Sequence, residues 1–450
     1  MAAFREYVQG FRGFERDARV FLVATLFSGA AISLFWIDFN LYLAALGVDR
    51  ATIGLVAATG SLSGALTAFP ASMLSDRIGR RFVMIGGIGL MGTALALLSV
   101  ADSLPVVFLL AAMYAAGQQS LFVVQIPFLT EHSRSDQRSE LFSLQFALMQ
   151  VTQVGAAVLG GVTATAIAAA VGIGPGEVGV FRIVLMIQTA LLVVALLVMT
   201  RVRDDRRRAT ESRTPTAPSR LGRLGIRVSD RRLFVKLLLP GFLIALGAGQ
   251  VIPFLNLYVS GKFALDLSQI NGVFALTGFG TVLAILIQPA LARRFGKVRS
   301  VVIVQVASLP FLAVLGFSPI LWLVIIAMAV RNSLMNAGNP ILNAFAMEQV
   351  RPDERATLAA AMSVLWSVGW VIAGPWYSLV QANLGFERGY NVAFITIMVL
   401  YSVATSLYLW WFRDAEVLPG RSVTSPVTGS NDPSASVRKP AGDAQGPRRA

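Results

Sequence analysis

Twelve long apolar runs, separated by short polar breaks, dominate the chain. The first six cover residues 19–46, 51–74, 82–101, 105–130, 140–170 and 180–200. The last six cover residues 235–260, 269–292, 300–318, 320–347, 357–384 and 390–412. Each run is long enough to cross roughly 30 Å of hydrocarbon as an α-helix. The pattern therefore predicts an all-α membrane protein with 12 transmembrane helices, of which the ninth and tenth are divided only by Ser318-Pro319.

The polar segments divide these runs into two groups of six. Residues 201–234 combine charge, proline and serine, and they predict a cytoplasmic linker between an N-terminal half (19–200) and a C-terminal half (235–412). Residues 1–18 form a short N-terminal cytoplasmic tail. Residues 413–450 are rich in Ser, Pro, Gly and Ala, so we expect a disordered cytoplasmic tail there.

Composition narrows the possible functions. The chain is 55% hydrophobic and 14% charged, which excludes an ordinary soluble enzyme. It has no cysteine, and its single histidine, His132, has no second histidine with which to bind a metal. Thiol chemistry, zinc ribbons and iron–sulfur clusters are therefore excluded. We expect no enzymatic activity, no cofactor and no metal site.

The net charge of +14 is distributed unevenly across the predicted membrane. Of the 38 basic residues, 33 fall on one side and Arg331 lies inside a helix. The other side has Arg50, Arg182, Lys262 and Arg388. Because basic residues collect in cytoplasmic loops, this split predicts a multi-pass protein of the cell membrane with both termini in the cytoplasm. The basic excess predicts contact with anionic membrane lipids rather than nucleic acid.

The two halves share loop features at a nearly constant spacing. At a shift of 217 residues Arg77 and Gly79 align with Arg294 and Gly296, and the same shift brings Glu131, Asp136 and Arg138 onto Glu348, Asp353 and Arg355. At 216 residues, Asn40-Leu41-Tyr42 aligns with Asn256-Leu257-Tyr258. Two copies of six helices each predict a parallel repeat about an axis normal to the membrane.

The loop between the second and third runs identifies a family. Residues 72–81, SMLSDRIGRR, resemble the loop signature G-x-L-x-D-R-x-G-R-R of the major facilitator superfamily (MFS), at the position where that family carries it. The departures are Ser72 for the leading glycine and Arg293 at the aspartate position of the second copy. The resemblance implies two pseudo-symmetric six-helix halves that act as a secondary transporter by alternating access, with helices one, four, seven and ten around a central cavity.

The same loop supplies a predicted conformational latch. The resemblance implies that Asp76 contacts the N-terminus of the eleventh helix in one conformation. Gly79 permits the tight turn, Arg77 and Arg80 keep the loop on the cytoplasmic side, and Glu131 is the expected ion-pair partner of Arg80. The alternative is that these charges serve membrane topology alone.

The sequence does not support a nucleotide-binding function. Gly87 to Gly92 match the dinucleotide pattern G-x-G-x-x-G, but they lie inside an apolar run without a preceding strand, so close helix packing explains them better. The chain contains no phosphate-binding G-x-x-x-x-G-K-[ST] sequence, so an ATP-driven motor in this chain is unsupported.

Two ionisable residues lie inside the predicted membrane. Asp38 is about 12 Å from the outer end of the first run, and Arg331 is at a comparable depth in the tenth. Burying a charge at that depth is costly, so a function is expected. An unpaired Asp38 could carry a proton, whereas an Asp38–Arg331 ion pair would act as a gate or bind substrate. A purely structural role is the third interpretation.

Polar stripes predict the lining of the cavity. Amides in lipid are costly, so such stripes face protein or a water-filled cavity. One stripe lies on the fourth helix and one on the tenth, and weaker candidates lie on the first and seventh helices. The predicted lining residues are Tyr114, Gln118 and Gln125; Asn332, Asn336, Asn339 and Asn343; Tyr42; and Gln250 and Asn256. Hydrogen bonding between helices is the alternative.

Together these features predict a monomeric secondary transporter for a small-molecule substrate. The few ionic groups in the expected cavity favour proton-coupled export of small hydrophobic or amphiphilic molecules, as in drug-efflux members of the resembled family. There are two alternatives. One is a sugar or metabolite transporter of the same fold, and the second is a membrane sensor or lipid-handling protein on this scaffold, without solute transport.

Overall fold

The computed structural model describes residues 13–133, 137–203, 230–295, 297–351 and 354–412. The side chains of residues 138, 139, 143, 282–295, 297, 337–341, 344 and 356 are outside this description. Most of the predicted linker (204–229), the tail at 413–450 and residues 1–12 of the N-terminal tail also lie outside the described residues. Six positions named in the sequence analysis are affected. Asp136, Gly296 and Asp353 lie outside the described residues, and so do the side chains of Arg138, Arg293 and Arg294.

The first half contains six helices that follow the predicted apolar runs. They are α1 (Arg16–Ala45), α2 (Arg50–Ile78), α3 (Arg80–Leu98), α4 (Leu104–Glu131), α5 (Arg138–Val171) and α6 (Val178–Met199). Short turns join them. Before α2, Asp49 accepts hydrogen bonds from the Thr52 amide at 3.0 Å and the Thr52 hydroxyl at 2.6 Å. These bonds stabilise the carboxylate and hold the pKa of Asp49 below its ordinary value.

The second half repeats this arrangement with one interrupted helix. Helix α7 comprises α7a (Arg231–Val251), a 3₁₀ turn (Ile252–Phe254) and α7b (Leu255–Phe263). Helices α8 (Leu267–Phe295), α9 (Lys297–Phe317) and α10 (Leu321–Gln349) follow. The stretch Arg355–Phe412 is helical except at Gly385, whose φ of 70° breaks it into α11 (355–384) and α12 (386–412). The predicted break at Ser318-Pro319 is confirmed between α9 and α10.

The outer surface of the described helices is apolar. Large hydrophobic side chains stand exposed on many of them, for example Leu66 at 68%, Trp322 at 68% and Trp410 at 70%. Such a surface is stable against lipid but not against water. In the described part of the chain nine helical segments are long and apolar enough to cross a membrane, and one of these, Thr357–Phe412, includes both α11 and α12. The chain is therefore an all-α, multi-pass membrane protein.

The two halves pack in matching ways. In the first half α1 packs on α5 and α6, α4 on α2 and α3, and α3 on α6. In the second half α10 packs on α8 and α9, and the α11–α12 stretch packs on α7a and α9. Between the halves, α5 meets α8 and α2 meets the α11–α12 stretch. Adding six to each helix number, and counting on from α12 to α1, converts each contact into its counterpart. This correspondence is the parallel repeat predicted from the sequence.

Many described contacts between the halves lie toward one end of the bundle. This end carries the α1–α2, α7–α8 and α11–α12 connections, and we call it the closed end. At the α2–α11 seam a Cβ placed on Gly54 would lie 2.7 Å from Tyr377 Cδ1 and 3.2 Å from the Gly374 carbonyl oxygen. Glycine at position 54 therefore allows α2 and α11 to approach closely. At the α5–α8 seam the Thr165 hydroxyl donates to Ser268 Oγ at 2.8 Å.

Candidate functional site

A cavity of about 360 Å³ lies between the halves, within the size range of small-molecule sites. Its walls come from α1, α2 and α4 of the first half and from α7 and α11 of the second. No charged side chain occurs among the described residues that line it. Aromatic side chains dominate the wall, namely Phe35, Trp36, Phe39, Tyr114, Phe122, Phe254, Trp366 and Trp370. We call this space the aromatic cavity.

Ring contacts and a few polar groups define the surface of the aromatic cavity. The Phe35 ring stacks on Tyr114 with centroids 3.7 Å apart, and Trp36 meets Trp370 of the other half edge to face at 5.9 Å. The hydroxyl of Tyr114 and Nε2 of Gln118 are buried and have no hydrogen-bond partner among the described residues. The wall therefore presents flat apolar surface to a ligand, and two buried polar groups in it lack a hydrogen-bond partner among the described residues. Tyr114 and Gln118, which the sequence placed in a substrate cavity, both lie in this wall.

A second cavity of about 260 Å³ adjoins the first and shares Trp36 and Pro253 with it. Its walls come from α1, α5, α7, α8 and α10, and we call it the polar cavity. Its lining includes Asn256, Asn332 and Asn336, as predicted, and Arg331. Further polar lining residues, which the sequence did not single out, are Ser33, Gln150, Gln153, Thr277 and Thr281.

Asp38 lies buried where α1 borders the α5–α8 seam. It is 2% exposed, and its Oδ1 accepts a hydrogen bond from Asn271 Nδ2 of α8 at 3.0 Å. Its Oδ2 is buried without a hydrogen-bond partner among the described residues, and so is Oδ1 of Asn271. Two side chains that already share one hydrogen bond therefore each retain an unsatisfied acceptor. Gly160 of α5 makes this approach possible, because a Cβ there would lie 3.0 Å from Asn271 Oδ1.

A second polar contact joins α1 to the interruption in α7. Asn40 Nδ2 donates to the Pro253 carbonyl at 2.6 Å, and Asn256 Nδ2 donates to the Ile37 carbonyl at 2.6 Å. Pro253 falls in the 3₁₀ turn, where the regular helical pattern is interrupted. The broken helix therefore supplies a backbone acceptor to the opposite half.

We call the contact around Asp38 and Asn271 the acidic seam. The repeat gives it an apolar counterpart. At offsets of 216 or 217 residues, Asp38 corresponds to Phe254, Asn271 to Gly54, and Gly160 to Tyr377. In the second seam the Phe254 ring stacks on Tyr377 with centroids 3.8 Å apart, and Gly54 lies against Tyr377. The same packing geometry thus holds an acid and an amide on one side of the pseudo-axis and two aromatic rings on the other.

Asp38 and Arg331 do not form an ion pair in this conformation. Both belong to the described residues, and no pair within 4.0 Å joins them. Arg331 is 4% exposed, its Nη2 donates to the Tyr401 hydroxyl at 3.0 Å, and its Nε has no hydrogen-bond partner among the described residues. The similar depths that made a pair conceivable did not determine which neighbours the two helices face.

Two predicted lining residues, Tyr42 and Gln125, lie in packing contacts in this conformation and not in the described cavity walls. Tyr42 is 1% exposed, its hydroxyl donates to the Leu98 carbonyl at 2.7 Å, and its ring contacts Phe181. The side of α1 that carries Tyr42 therefore faces α3 and α6 rather than the other half. Gln125 accepts a hydrogen bond from Gln145 Nε2 at 3.0 Å, which ties α4 to α5 within the first half. In this conformation Gln125 therefore takes part in hydrogen bonding between helices, the alternative to cavity lining.

Two more predicted residues also lie away from the described cavity walls. Gln250 is 2% exposed and donates to the Leu246 carbonyl of its own helix at 3.2 Å. Its neighbour Gly249 lines the aromatic cavity, and one residue further turns the side chain about 100° around the helix. Asn343 shares a helix face with Asn332, but about 16 Å further along the axis it is beyond the polar cavity. The Asn339 side chain lies outside the described residues.

The α2–α3 loop has the predicted ion pair. Arg80 Nε lies 2.8 Å from Glu131 Oε2 and Arg80 Nη2 lies 2.7 Å from Oε1, so the pair is bidentate. Gly79 adopts a φ of 104° between α2 and α3, as a tight turn requires. The Asp76 side chain is 54% exposed and lies 3.6 Å from Arg80, and Arg77 is exposed. The contact between Asp76 and the start of α11 stays a prediction for another conformation.

Sequence reasoning missed Asn271 and most of the aromatic wall. Asn271 follows Ser268 and Gln269 near the start of α8, and the mainly apolar residues after it leave no polar stripe to mark it. A single buried amide inside a predicted membrane helix was the available signal, because such groups need a partner. The aromatic residues gave no signal, since a ring that faces lipid and a ring that faces a cavity look alike in sequence.

Known proteins match this chain in sequence and in fold. Residues 21–374 match the sequence profile of the Major Facilitator Superfamily. A protein of Bacillus subtilis (strain 168) named uncharacterized MFS-type transporter YceJ is 25% identical over 363 residues, covering 77% of this chain and 86% of its own length.

Crystal structures give the same fold. A mutant of the nucleoside transporter NupG superposes with a TM-score of 0.72 at 13% identity, covering 88% of this chain and 100% of that one. A bacterial homologue of the human lysosomal transporter Spinster, in an inward-facing and occupied conformation, gives a TM-score of 0.69 at 15% identity, covering 89% and 98%. At these identities the likeness shows the fold alone.

Proposed function

From the premise that this chain belongs to the Major Facilitator Superfamily, we propose that it is a proton-coupled exporter of small hydrophobic or amphiphilic molecules, working by alternating access. The observation that carries the proposal is the position of Asp38. It lies between the halves and bonds to the opposite half through Asn271. A titratable group at this point links the binding of a proton to the relative position of the halves.

One proton would satisfy both unsatisfied acceptors at the acidic seam. Protonated Asp38 gains an O–H donor on Oδ2, and Oδ1 of Asn271 is available to accept it. The side chains would then exchange two hydrogen bonds, with Asn271 Nδ2 donating to Asp38 Oδ1 as observed. Loss of the proton would leave a buried carboxylate with one neutral donor, which is costly away from water. Protonation therefore favours the closed seam, and deprotonation favours its separation.

The aromatic cavity is the proposed substrate site. Neutral aromatic walls bind apolar surface through burial and ring stacking, and the unused groups on Tyr114 and Gln118 orient polar substituents. We place the closed end outside the cell, because the basic loops lie at the opposite end. The conformation is then inward-facing, the protein acts as a monomer in the cell membrane, and both termini are cytoplasmic.

Flux measurements test the proposed coupling. Inside-out vesicles with an acidic lumen should accumulate at least one of three probes that differ in charge: ethidium, naphthalene-1-carboxamide and naphthalene-1-carboxylate. Asp38→Asn should abolish gradient-driven accumulation, because the amide carries no titratable proton and would hold the seam closed, while binding of the probes to the purified variant persists. Asp102→Asn is the matched control, since Asp102 is an exposed loop carboxylate paired with Arg182.

Two outcomes would contradict the proposal. Unchanged accumulation and unchanged pH dependence in Asp38→Asn would exclude Asp38 as the coupling residue. Absence of flux for every probe and every gradient would instead favour a sensor or lipid-handling role.

The absence of cysteine permits a clean test of orientation. Val100 is 62% exposed at the closed end, and Arg77 is exposed on the α2–α3 loop at the other end. In whole cells a membrane-impermeant maleimide should label Val100→Cys, and it should label Arg77→Cys only after permeabilisation. The opposite pattern would reverse the assigned topology.

A metabolite transporter is the second candidate, and the polar cavity is the observation that favours it. Its amides and hydroxyls can bind a substrate with several hydrogen-bonding groups. Uptake of a labelled sugar or nucleoside by cells expressing the protein, without flux of the three hydrophobic probes, would favour this candidate.

A further inference from the structure

The polar cavity contains a buried cation. Of the described residues that line this cavity, Arg331 is the one that carries a charge. It lies about 15 Å along α10 from Leu321, which is well inside the membrane-spanning region. Arg331 is 4% exposed, so lipid headgroups and bulk water do not solvate it in this conformation.

The neighbours of Arg331 do not neutralise it. Its Nη2 donates to the neutral Tyr401 hydroxyl at 3.0 Å, and its guanidinium carbon lies 5.8 Å from the centre of that ring. Its Nε is buried and has no hydrogen-bond partner in the described part of the chain. No carboxylate among the described residues forms an ion pair with it. A guanidinium has five donors and no means of losing its charge, so an unpaired one at this depth calls for an anion.

We propose that Arg331 binds the anionic group of the substrate, and that the substrates are amphiphilic anions whose apolar part occupies the aromatic cavity. This inference rests on the proposed function of that cavity as the substrate site. A planar carboxylate fits the donor geometry of the guanidinium, whose Nε lacks a hydrogen-bond partner among the described residues. The amides of Asn332 and Asn336 line the same cavity and can donate to the remaining oxygen lone pairs.

The arrangement of the two cavities sets the shape of the ligand. They share Trp36 and Pro253, so a ring packed on Trp36 stands next to the chamber that contains Arg331. The aromatic cavity offers no charged group among its described lining residues, and the polar cavity offers one cation. A molecule with an aromatic body and one negative group at its end matches both. A cation of the same shape would meet Arg331 without any carboxylate to balance it.

Three naphthalene probes of nearly equal size test the charge preference. They are naphthalene-1-carboxylate, the neutral naphthalene-1-carboxamide and the cationic 1-naphthylmethylammonium. Titration calorimetry on the full chain in zwitterionic nanodiscs should give at least a roughly tenfold preference for the carboxylate over the amide. Arg331→Gln should remove this preference while amide binding persists. Arg331→Lys should retain part of it, because the charge remains but the bidentate geometry is lost.

A matched control uses another arginine at the membrane. Arg182 pairs with Asp102 and lines neither cavity among the described residues, so Arg182→Gln should keep the preference for the carboxylate. Persistence of amide binding in Arg331→Gln shows that the variant is folded. Equal binding of carboxylate and amide by the wild type, or a preference that survives in Arg331→Gln, would overturn the inference.

The source of the anion is separated by changing the lipid. In phosphatidylglycerol nanodiscs, Arg331-dependent displacement of the carboxylate probe would support the anion site and identify a lipid headgroup as its occupant. Unchanged probe affinity would support a free solute. Failure of the proposed function looks different, because it is the loss of proton-driven flux in the vesicle assay, whereas this inference concerns only the charge preference of binding.

Discussion

Replacement of Gly54 by alanine should push the closed end apart. The new Cβ would lie 2.7 Å from Tyr377 Cδ1, 3.2 Å from the Gly374 carbonyl oxygen and 3.3 Å from the Ser378 amide nitrogen. All three atoms belong to α11 of the other half, and the Tyr377 ring is 1% exposed and cannot move aside. The strain is therefore relieved most directly by separation of α2 from α11.

The expected size of the effect follows from the cost of overpacking. Inserting a methyl group into a tight contact costs about 1–3 kcal/mol. Because about 1.4 kcal/mol corresponds to a factor of ten, the equilibrium should shift toward the separated state by roughly 5-fold to 140-fold. Gly60→Ala on the same helix is the control, since its Cβ would make only ordinary contacts within its own half, with Ala115 Cβ at 3.7 Å and the Ala111 carbonyl oxygen at 3.9 Å. Both variants gain the same helix propensity, so their difference isolates the clash.

Alkylation of a single buried thiol measures this shift. Ser378 is 8% exposed at the α2–α11 seam, and Ser378→Cys is a small change in a chain without other cysteines. The rate of maleimide labelling should rise in Gly54→Ala and stay constant in Gly60→Ala. Equal labelling rates in both variants, with a lower melting temperature for Gly54→Ala alone, would refute the reasoning, because the clash would then cause unfolding rather than opening.

Two further predictions concern helix packing and the α2–α3 loop. Gly87→Ala would place Cβ 2.7 Å from the Gly117 carbonyl oxygen, so the free energy of unfolding should fall by about 1–3 kcal/mol. A Cβ at Gly89 would meet no described atom within 4 Å, so Gly89→Ala should not lower the melting temperature. Equal melting temperatures for the two variants would contradict the packing interpretation. In a double-mutant cycle of thermal stability, Arg80→Ala and Glu131→Gln should show a coupling of about 1 kcal/mol for this partly buried pair. Strictly additive losses would mean that the pair contributes nothing.

The length of the apolar runs was sufficient to predict the membrane helices. Lipid requires every backbone polar group to be satisfied inside the helix, so a long apolar run has one structural outcome. The break at Ser318-Pro319 was therefore found despite its shortness. The Arg80–Glu131 pair was also predictable, because the helix ends bring the two charges to the same membrane surface.

Contacts across the bundle were harder to predict, because a stripe of polar residues does not indicate which neighbouring helix it faces. Gln118 and Gln125 share a face of α4, yet Gln118 lines the aromatic cavity and Gln125 bonds to Gln145. Likewise Asp38 could be placed at its depth from the sequence, but its partner, Asn271, lies 233 positions away on α8. Depth follows from counting residues, whereas rotation and neighbour choice depend on packing of the whole bundle.

The central claim is that the proton on Asp38 closes the outer end of the protein. Double electron–electron resonance tests it directly with nitroxides on Val100→Cys of the first half and Leu384→Cys of the second, both exposed at the closed end. In the otherwise unmodified chain the distance distribution should shift to longer values from acidic to alkaline pH. With Asp38→Asn added it should stay short throughout, since an amide in this place cannot lose a proton. A shift of equal size in Asp38→Asn would contradict the account.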